Sequence, residues 1–183
     1  MKKKENNIQQ YAMYFGTYMG VYWILKFILF PLAFKIPFLS FLFLGLTIGV
    51  PFMGYYYLKT YRDKVCGGTI TFGRAFTFTL LVYFFASLLA AVAHFVYFQF
   101  IDHGFILESV TNQLNTLVEL SVDTDNYDSL VENSENILDI LAHLTPTDIT
   151  FDNLSRNVFS GIFLALPTAL IGKRSNQENT NEQ

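Results

Sequence analysis

Lys26 and His94 are the residues of this chain whose chemistry packing explains least well. Each lies inside a long apolar run, where an ionisable group is costly unless it faces protein or water. Lys26 stands eight residues before Phe34 and His94 eight before Asp102. At about 1.5 Å per helical residue, both fall roughly 12 Å below the same end of their helices. Ser160 reaches a similar depth in the last apolar run, with Gln99 and Asp102 nearer the mouth. Together the five predict a polar pocket that opens outward and suits an anionic solute. The simpler reading has Lys26 snorkelling outward along Phe and Leu side chains and His94 making one interhelical hydrogen bond.

Other chemistry is set aside by what the pattern lacks. No Asp or Glu falls inside an apolar run, so the carboxylate relay of a proton-coupled carrier is missing. There is no HExxH, no paired intramembrane Asp, no Ser/Lys or Ser/His couple at plausible depth and no Walker sequence. His103 and His143 have no Cys or His at metal-ligand spacing and read as surface residues. The cluster Asp123, Asp125, Asp128 resembles the start of a calcium loop. However, Asp128 and Ser134 stand where an EF-hand needs Gly and Glu, so a solvated turn is expected. The lone Cys66 excludes an intramolecular disulfide and reads as a small interfacial residue. No catalytic residue, cofactor or metal is therefore expected, and the chain reads as a non-enzyme.

The elements that must position these residues are membrane spans. Of 183 residues, 52% are hydrophobic and 17% aromatic, which is more than a soluble core of this size uses. They fall in blocks near the roughly 20 residues that a helix needs to cross a bilayer. The predicted architecture is an all-α membrane bundle of four transmembrane helices, over residues 11–34, 38–58, 76–101 and 153–171. Only Lys35, Ile36 and Pro37 join the first two, which predicts a tight helical hairpin. Pro31, Pro51 and Pro167 are each expected to bend a span. The first apolar run is too long for a signal peptide and lacks a small-residue cleavage site, so it reads as a retained anchor.

Charge orients the bundle. From Asp102 to Asp152 there are eleven carboxylates and no Lys or Arg. Nine of the twelve basic residues sit at Lys2 to Lys4, in Lys59, Arg62, Lys64 and Arg74, or at Lys173 and Arg174. Basic residues near span ends stay on the cytoplasmic side. This places the basic N-terminus (1–10) and the tail (175–183, expected to be disordered) in the cytoplasm, and the acidic insert (102–152) outside. Tyr11, Tyr14, Tyr55, Tyr56, Tyr57 and Tyr61 would anchor at the inner interface. The lipid bilayer is the first expected partner, with a membrane protein or a second copy as another, and nucleic acid is not expected.

Within the insert, Leu107, Val110, Leu114, Leu117 and Val118, and then Leu130, Ile137, Leu141 and Leu144, follow helical spacing. Two amphipathic helices are predicted, with Asp128 or Ser129 capping the second and Pro146 ending it. Their lack of Lys and Arg argues against tight adsorption to anionic lipid. Each span also carries small residues four apart, at Gly16/Gly20, Gly45/Gly49, Ala86/Ala90 and Gly161/Ala165/Ala169. Such faces let helices approach closely in lipid, within one bundle or against a partner. Gly67 and Gly68 predict a turn at the membrane surface, and Thr71 a cap for the third span. Arg74 would then lie at the inner headgroup level, holding register and within reach of lipid phosphate.

Gly67-Gly-Thr-Ile-Thr-Phe-Gly-Arg-Ala-Phe76 and Phe98-Gln-Phe-Ile-Asp-His-Gly-Phe105 carry a resemblance. Placed after the second span and at the end of the third, they resemble the DUF4199 family of small integral membrane proteins, common in Bacteroidetes. Length, basic start and acidic insert are similar over residues 8–174. The resemblance implies a bacterial inner-membrane location and no reaction. The reading that follows is a non-enzymatic accessory or scaffold protein that binds a membrane partner or lipid through its small-residue faces, with the outer helices as a second surface. The alternative is a small oligomeric transporter or channel built on the Lys26 and His94 layer.

Overall fold

The computed structural model describes residues 8–122 and 127–174, and these contain six helices in the order α1 (Ile8–Ala33), α2 (Phe38–Lys64), α3 (Phe72–Phe100), α4 (Phe105–Leu120), α5 (Tyr127–His143) and α6 (Pro146–Gly172). Four of them, α1, α2, α3 and α6, are long and apolar enough to cross a membrane. The acidic cluster expected at Asp123 and Asp125, the basic residues Lys2 to Lys4 and the tail 175–183 lie outside the described residues. The chain divides into two compact units, one of residues up to Ala91 and from Asn153 onward, the other spanning Val92–Asp152.

In the first unit, α1 and α2 form the expected hairpin. The Leu32 carbonyl accepts the Lys35 and Ile36 N–H groups at 3.1 and 3.0 Å, which turns the chain within three residues. Pro37 immediately precedes α2, where its missing N–H costs nothing. Pro31, Pro51 and Pro167 all lie inside helices that continue past them.

The α3 helix is the hub, because its buried side chains meet all three other spans. A Cβ at Gly16 would lie 2.7 Å from the Phe85 Cβ and 3.0 Å from the Val82 carbonyl oxygen. One at Gly20 would lie 3.0 Å from the Leu89 Cβ, so α1 lies almost backbone to backbone on α3. Tyr83 of α3, fully buried, fills the gap that glycines open on two other helices. Its hydroxyl occupies the space a side chain at Gly54 of α2 would need, and its Cβ would stand 2.8 Å from a Cβ at Gly161 of α6. Trp23 of α1 stacks on the same ring at 6.2 Å. Ala86, Ala90, Ala165 and Ala169 are all fully buried.

One expected packing position differs. A Cβ at Gly45 would meet nothing within 4 Å. Its neighbours Phe41 and Ile48 are exposed, so this part of α2 faces away from the unit's core. Gly49 instead makes room for Tyr22, whose hydroxyl donates to the Leu46 carbonyl at 2.7 Å.

Helix ends also run past the apolar stretches. α2 continues six residues beyond Leu58, to Lys64, and α3 starts at Phe72, directly after Thr71. α6 starts at Pro146, not near Asn153, because Thr145 and Asp148 cap it reciprocally. The Asp148 carboxylate accepts the Thr145 N–H at 3.0 Å, and the Thr145 hydroxyl accepts the Asp148 N–H at 3.2 Å. Pro146 therefore opens α6, one position after the Thr145 cap, while α5 ends at His143.

In the second unit, the end of α3 passes through Asp102, His103 and Gly104 into α4. His103 and Gly104 both have positive φ, 45° and 85°. α4 and α5 pair as a hairpin in which no residue is fully buried. Val110, Leu114 and Val118 of α4 are half-buried, as are Val131, Leu138 and Leu141 of α5. Asp128 lies in the first turn of α5, past the cap position expected for it.

Candidate functional site

The five residues of the predicted polar layer are divided between the two units. Lys26 and Ser160 belong to the first, and His94, Gln99 and Asp102 to the second. Lys26 is half-buried, and its Nζ stands 5.1 Å from the centre of the Phe43 ring on α2. A cation over an aromatic face is attracted by the ring quadrupole. The contact this amine makes is therefore with α2, and Ser160 is exposed on α6. His94 is buried, while Gln99 is exposed near the end of α3.

Asp102 has a defined structural role. Its Oδ2 accepts the Gly104 N–H at 3.2 Å and its Oδ1 accepts the Ile106 N–H at 3.3 Å, while its own carbonyl accepts from Phe105 at 2.8 Å. These are the orphan donors of the α4 N-terminus, so the carboxylate holds the turn that redirects the chain after α3.

A more elaborate constellation lies where α2 ends, α3 begins and α6 ends. Arg62 is buried at 8% exposure, and each of its three guanidinium nitrogens donates a hydrogen bond. Nε donates to Asp63 Oδ1 at 2.7 Å, Nη2 to Asp63 Oδ2 at 3.3 Å, and Nη1 to the Gly172 carbonyl at 3.0 Å. The last bond satisfies a carbonyl that the end of α6 would otherwise leave open. Gly172 itself has its α-carbon against Leu58, where a side chain would not fit. Two residues past α6, Arg174 and Ile70 exchange both backbone hydrogen bonds, at 2.8 and 3.0 Å. The loop between α2 and α3 and the end of α6 are thus clasped by backbone and side chain together.

Below the clasp runs an aromatic stack. Tyr61, fully buried, lies face to face with Phe78 at 4.1 Å, and Phe15 reaches both Tyr57 at 5.0 Å and Phe78 at 6.0 Å. Tyr11 closes on Tyr61 at 5.7 Å. The Tyr61 hydroxyl accepts a hydrogen bond from Arg74 Nη2 at 3.2 Å, and the guanidinium carbon stands 5.9 Å from the ring centre. Arg74 is exposed, yet its head is fixed. Cys66 is half-buried and packs beside this core.

Sequence reasoning placed Arg74 at an interface but missed Arg62, counting it only as one of several loop charges. The adjacent Asp63 was the available signal: it is the lone carboxylate between Lys59 and Arg74.

The exposed face of the second unit is the other surface with recognisable chemistry. Leu107, Leu117, Leu120, Leu130, Ile137, Ile140 and Leu144 are all exposed on α4, α5 or just beyond, and Leu120 reaches 78%. The same two helices carry Glu108, Glu119, Asp128, Glu132, Glu135 and Asp139. Among the described residues, no three His, Cys, Asp or Glu side chains come together as a metal site.

A family model described as "Protein of unknown function (DUF4199)" matches residues 14–174. No curated protein and no solved structure matches the chain.

Proposed function

The chain belongs to the DUF4199 family, whose function is unknown, and from that premise we propose that it is a non-enzymatic accessory protein of a bacterial inner membrane. In this reading the α1, α2, α3 and α6 helices anchor it, both termini are cytoplasmic, and the α4–α5 hairpin is presented outside to a cationic partner helix or surface. The observation that carries the reading is the hairpin itself, two amphipathic helices that leave several leucines and isoleucines exposed and bury no residue fully. A surface apolar to that degree favours an interaction. The eleven carboxylates and absence of Lys or Arg between Asp102 and Asp152 select a partner of opposite charge.

The bundle's small residues support the same division of labour. Gly16, Gly20, Gly161, Ala86, Ala90 and Ala165 are engaged within the chain, whereas the Gly45 face is open to a membrane partner or a second copy. Full-length protein in detergent is titrated with an amphipathic leucine–lysine peptide and a leucine–glutamate peptide of equal length. The lysine peptide should bind at least about tenfold more tightly, an advantage that falls with added salt. Leu117→Ser combined with Ile140→Ser should weaken it. Equal binding of the two peptides, or no effect of the double substitution, would refute the proposal.

A further inference from the structure

We propose that the clasped end of the first unit is a headgroup site for an anionic phospholipid, with Arg74 as its prearranged donor. Lys59, Lys64, Arg74, Lys173 and Arg174 are all exposed, and the Ile70–Arg174 backbone pairing brings the end of α6 to the loop between the end of α2, which carries Lys59 and Lys64, and the start of α3, which carries Arg74. The one carboxylate among them, Asp63, is held by both oxygens on Arg62, and it also lies within the electrostatic reach of Lys59 and Arg174. Since Asp63 offsets the charge of Arg62, an excess of five positive charges remains at this end among the described residues. Such an excess attracts phosphodiester headgroups in a sequence-independent way, at roughly fivefold in affinity per basic residue near an anionic surface.

Two further features make this a lipid site and not a diffuse charge. Arg74 has one nitrogen tethered to the phenol of Tyr61, a residue fully buried in the aromatic stack, so its remaining donors are aimed without losing side-chain freedom on binding. Large apolar side chains flank the cations on three helices, with Tyr56 63% exposed on α2, Phe72 37% on α3 and Ile171 70% on α6. A free phosphate has no use for that apolar border, whereas the acyl chains of a phospholipid do.

The test uses full-length protein in a neutral detergent, titrated with phosphatidylglycerol or with phosphatidylcholine of the same acyl chains, and bound lipid is counted by native mass spectrometry. Phosphatidylglycerol should bind at least about tenfold more tightly, because two or more of the five cations engage it at roughly fivefold each. Arg74→Gln should weaken it about fivefold or more. Tyr61→Phe, which keeps the ring and every charge, should weaken it about two- to threefold by releasing the guanidinium. Arg156→Gln, an equal change of charge sixteen residues before Gly172, should leave it unaltered. Equal affinity for the two lipids, or equal effects of Arg74→Gln and Arg156→Gln, would overturn the site. No effect of Tyr61→Phe would overturn the role of the tether. Displacement of phosphatidylglycerol by millimolar inorganic phosphate would reassign the cluster to a soluble ligand and overturn the lipid assignment.

Discussion

Gly16 and Gly45 are both glycines within transmembrane-type helices, each opening a small-xxx-small pair, and they should respond oppositely to a single methyl group. Replacing glycine by alanine in a helix interior gains about 0.5–1 kcal/mol by restricting the unfolded chain. At Gly45 that gain should appear undiminished, since the new methyl meets nothing within 4 Å. At Gly16 the methyl would lie 2.7 Å from the Phe85 Cβ and 3.0 Å from the Val82 carbonyl oxygen, atoms fixed to the α3 backbone that cannot rotate aside. Inserting a methyl into such a site costs about 1–3 kcal/mol. Because the backbone gain is common to both variants, their difference isolates the close approach of α1 and α3. It should be about 2 kcal/mol, roughly a 30-fold difference in unfolding equilibrium. Unfolding of the two purified variants in mixed detergent micelles, followed by far-ultraviolet circular dichroism, measures it. If Gly16→Ala and Gly45→Ala shift the midpoint equally, or Gly45→Ala is the more damaging, α1 does not rest on α3 as described.

Arg62→Gln should destabilise the first unit by about 1–3 kcal/mol, because it strands the Gly172 carbonyl, and the same unfolding assay together with faster proteolysis after Gly172 would report it. Asp102→Ala should cost about 1 kcal/mol by uncapping α4, seen as faster hydrogen exchange at Gly104 and Ile106, with Asp102→Asn much milder. Lys26→Met should leave stability within about 0.5 kcal/mol, because a thioether on Phe43 replaces a cation over the same ring. A loss well above that would assign the amine a further contact.

The four long apolar helices were legible because they depend on length and apolar content, and these are written residue by residue. The turn at Lys35 to Pro37 and the α4–α5 helices were equally legible, one from its length and the other from a periodic pattern. What escaped was which face of each span is buried. The spans are apolar all round, so no periodicity separates the side of α2 that carries Gly45 from the side that carries Gly54, and only the position of Tyr83 decides between them. Helix ends escaped for a different reason. Apolar runs stop at the edge of the lipid, but the helices of Lys59 to Lys64 and Pro146 to Asp152 continue on hydrogen bonds made by charged and capping residues. The polar layer illustrates the first limit, since neither the contact of Lys26 with Phe43 nor the engagement of Asp102 at α4 was readable from position along a helix.

The clasp of Arg62 also sets a problem of timing. Its carbonyl partner Gly172 lies 110 residues later in the chain. At a synthesis rate of about 5–20 residues per second, Arg62 waits roughly 5–20 s for it. During that interval α2 and α3 exist without α6, and a lone guanidinium would be drawn away from the position it must eventually occupy. Asp63, next to it in sequence, is present from the moment Arg62 is made. The carboxylate that takes two of the arginine's hydrogen bonds in the finished protein is thus also the one counter-charge within reach in sequence before the last helix is made.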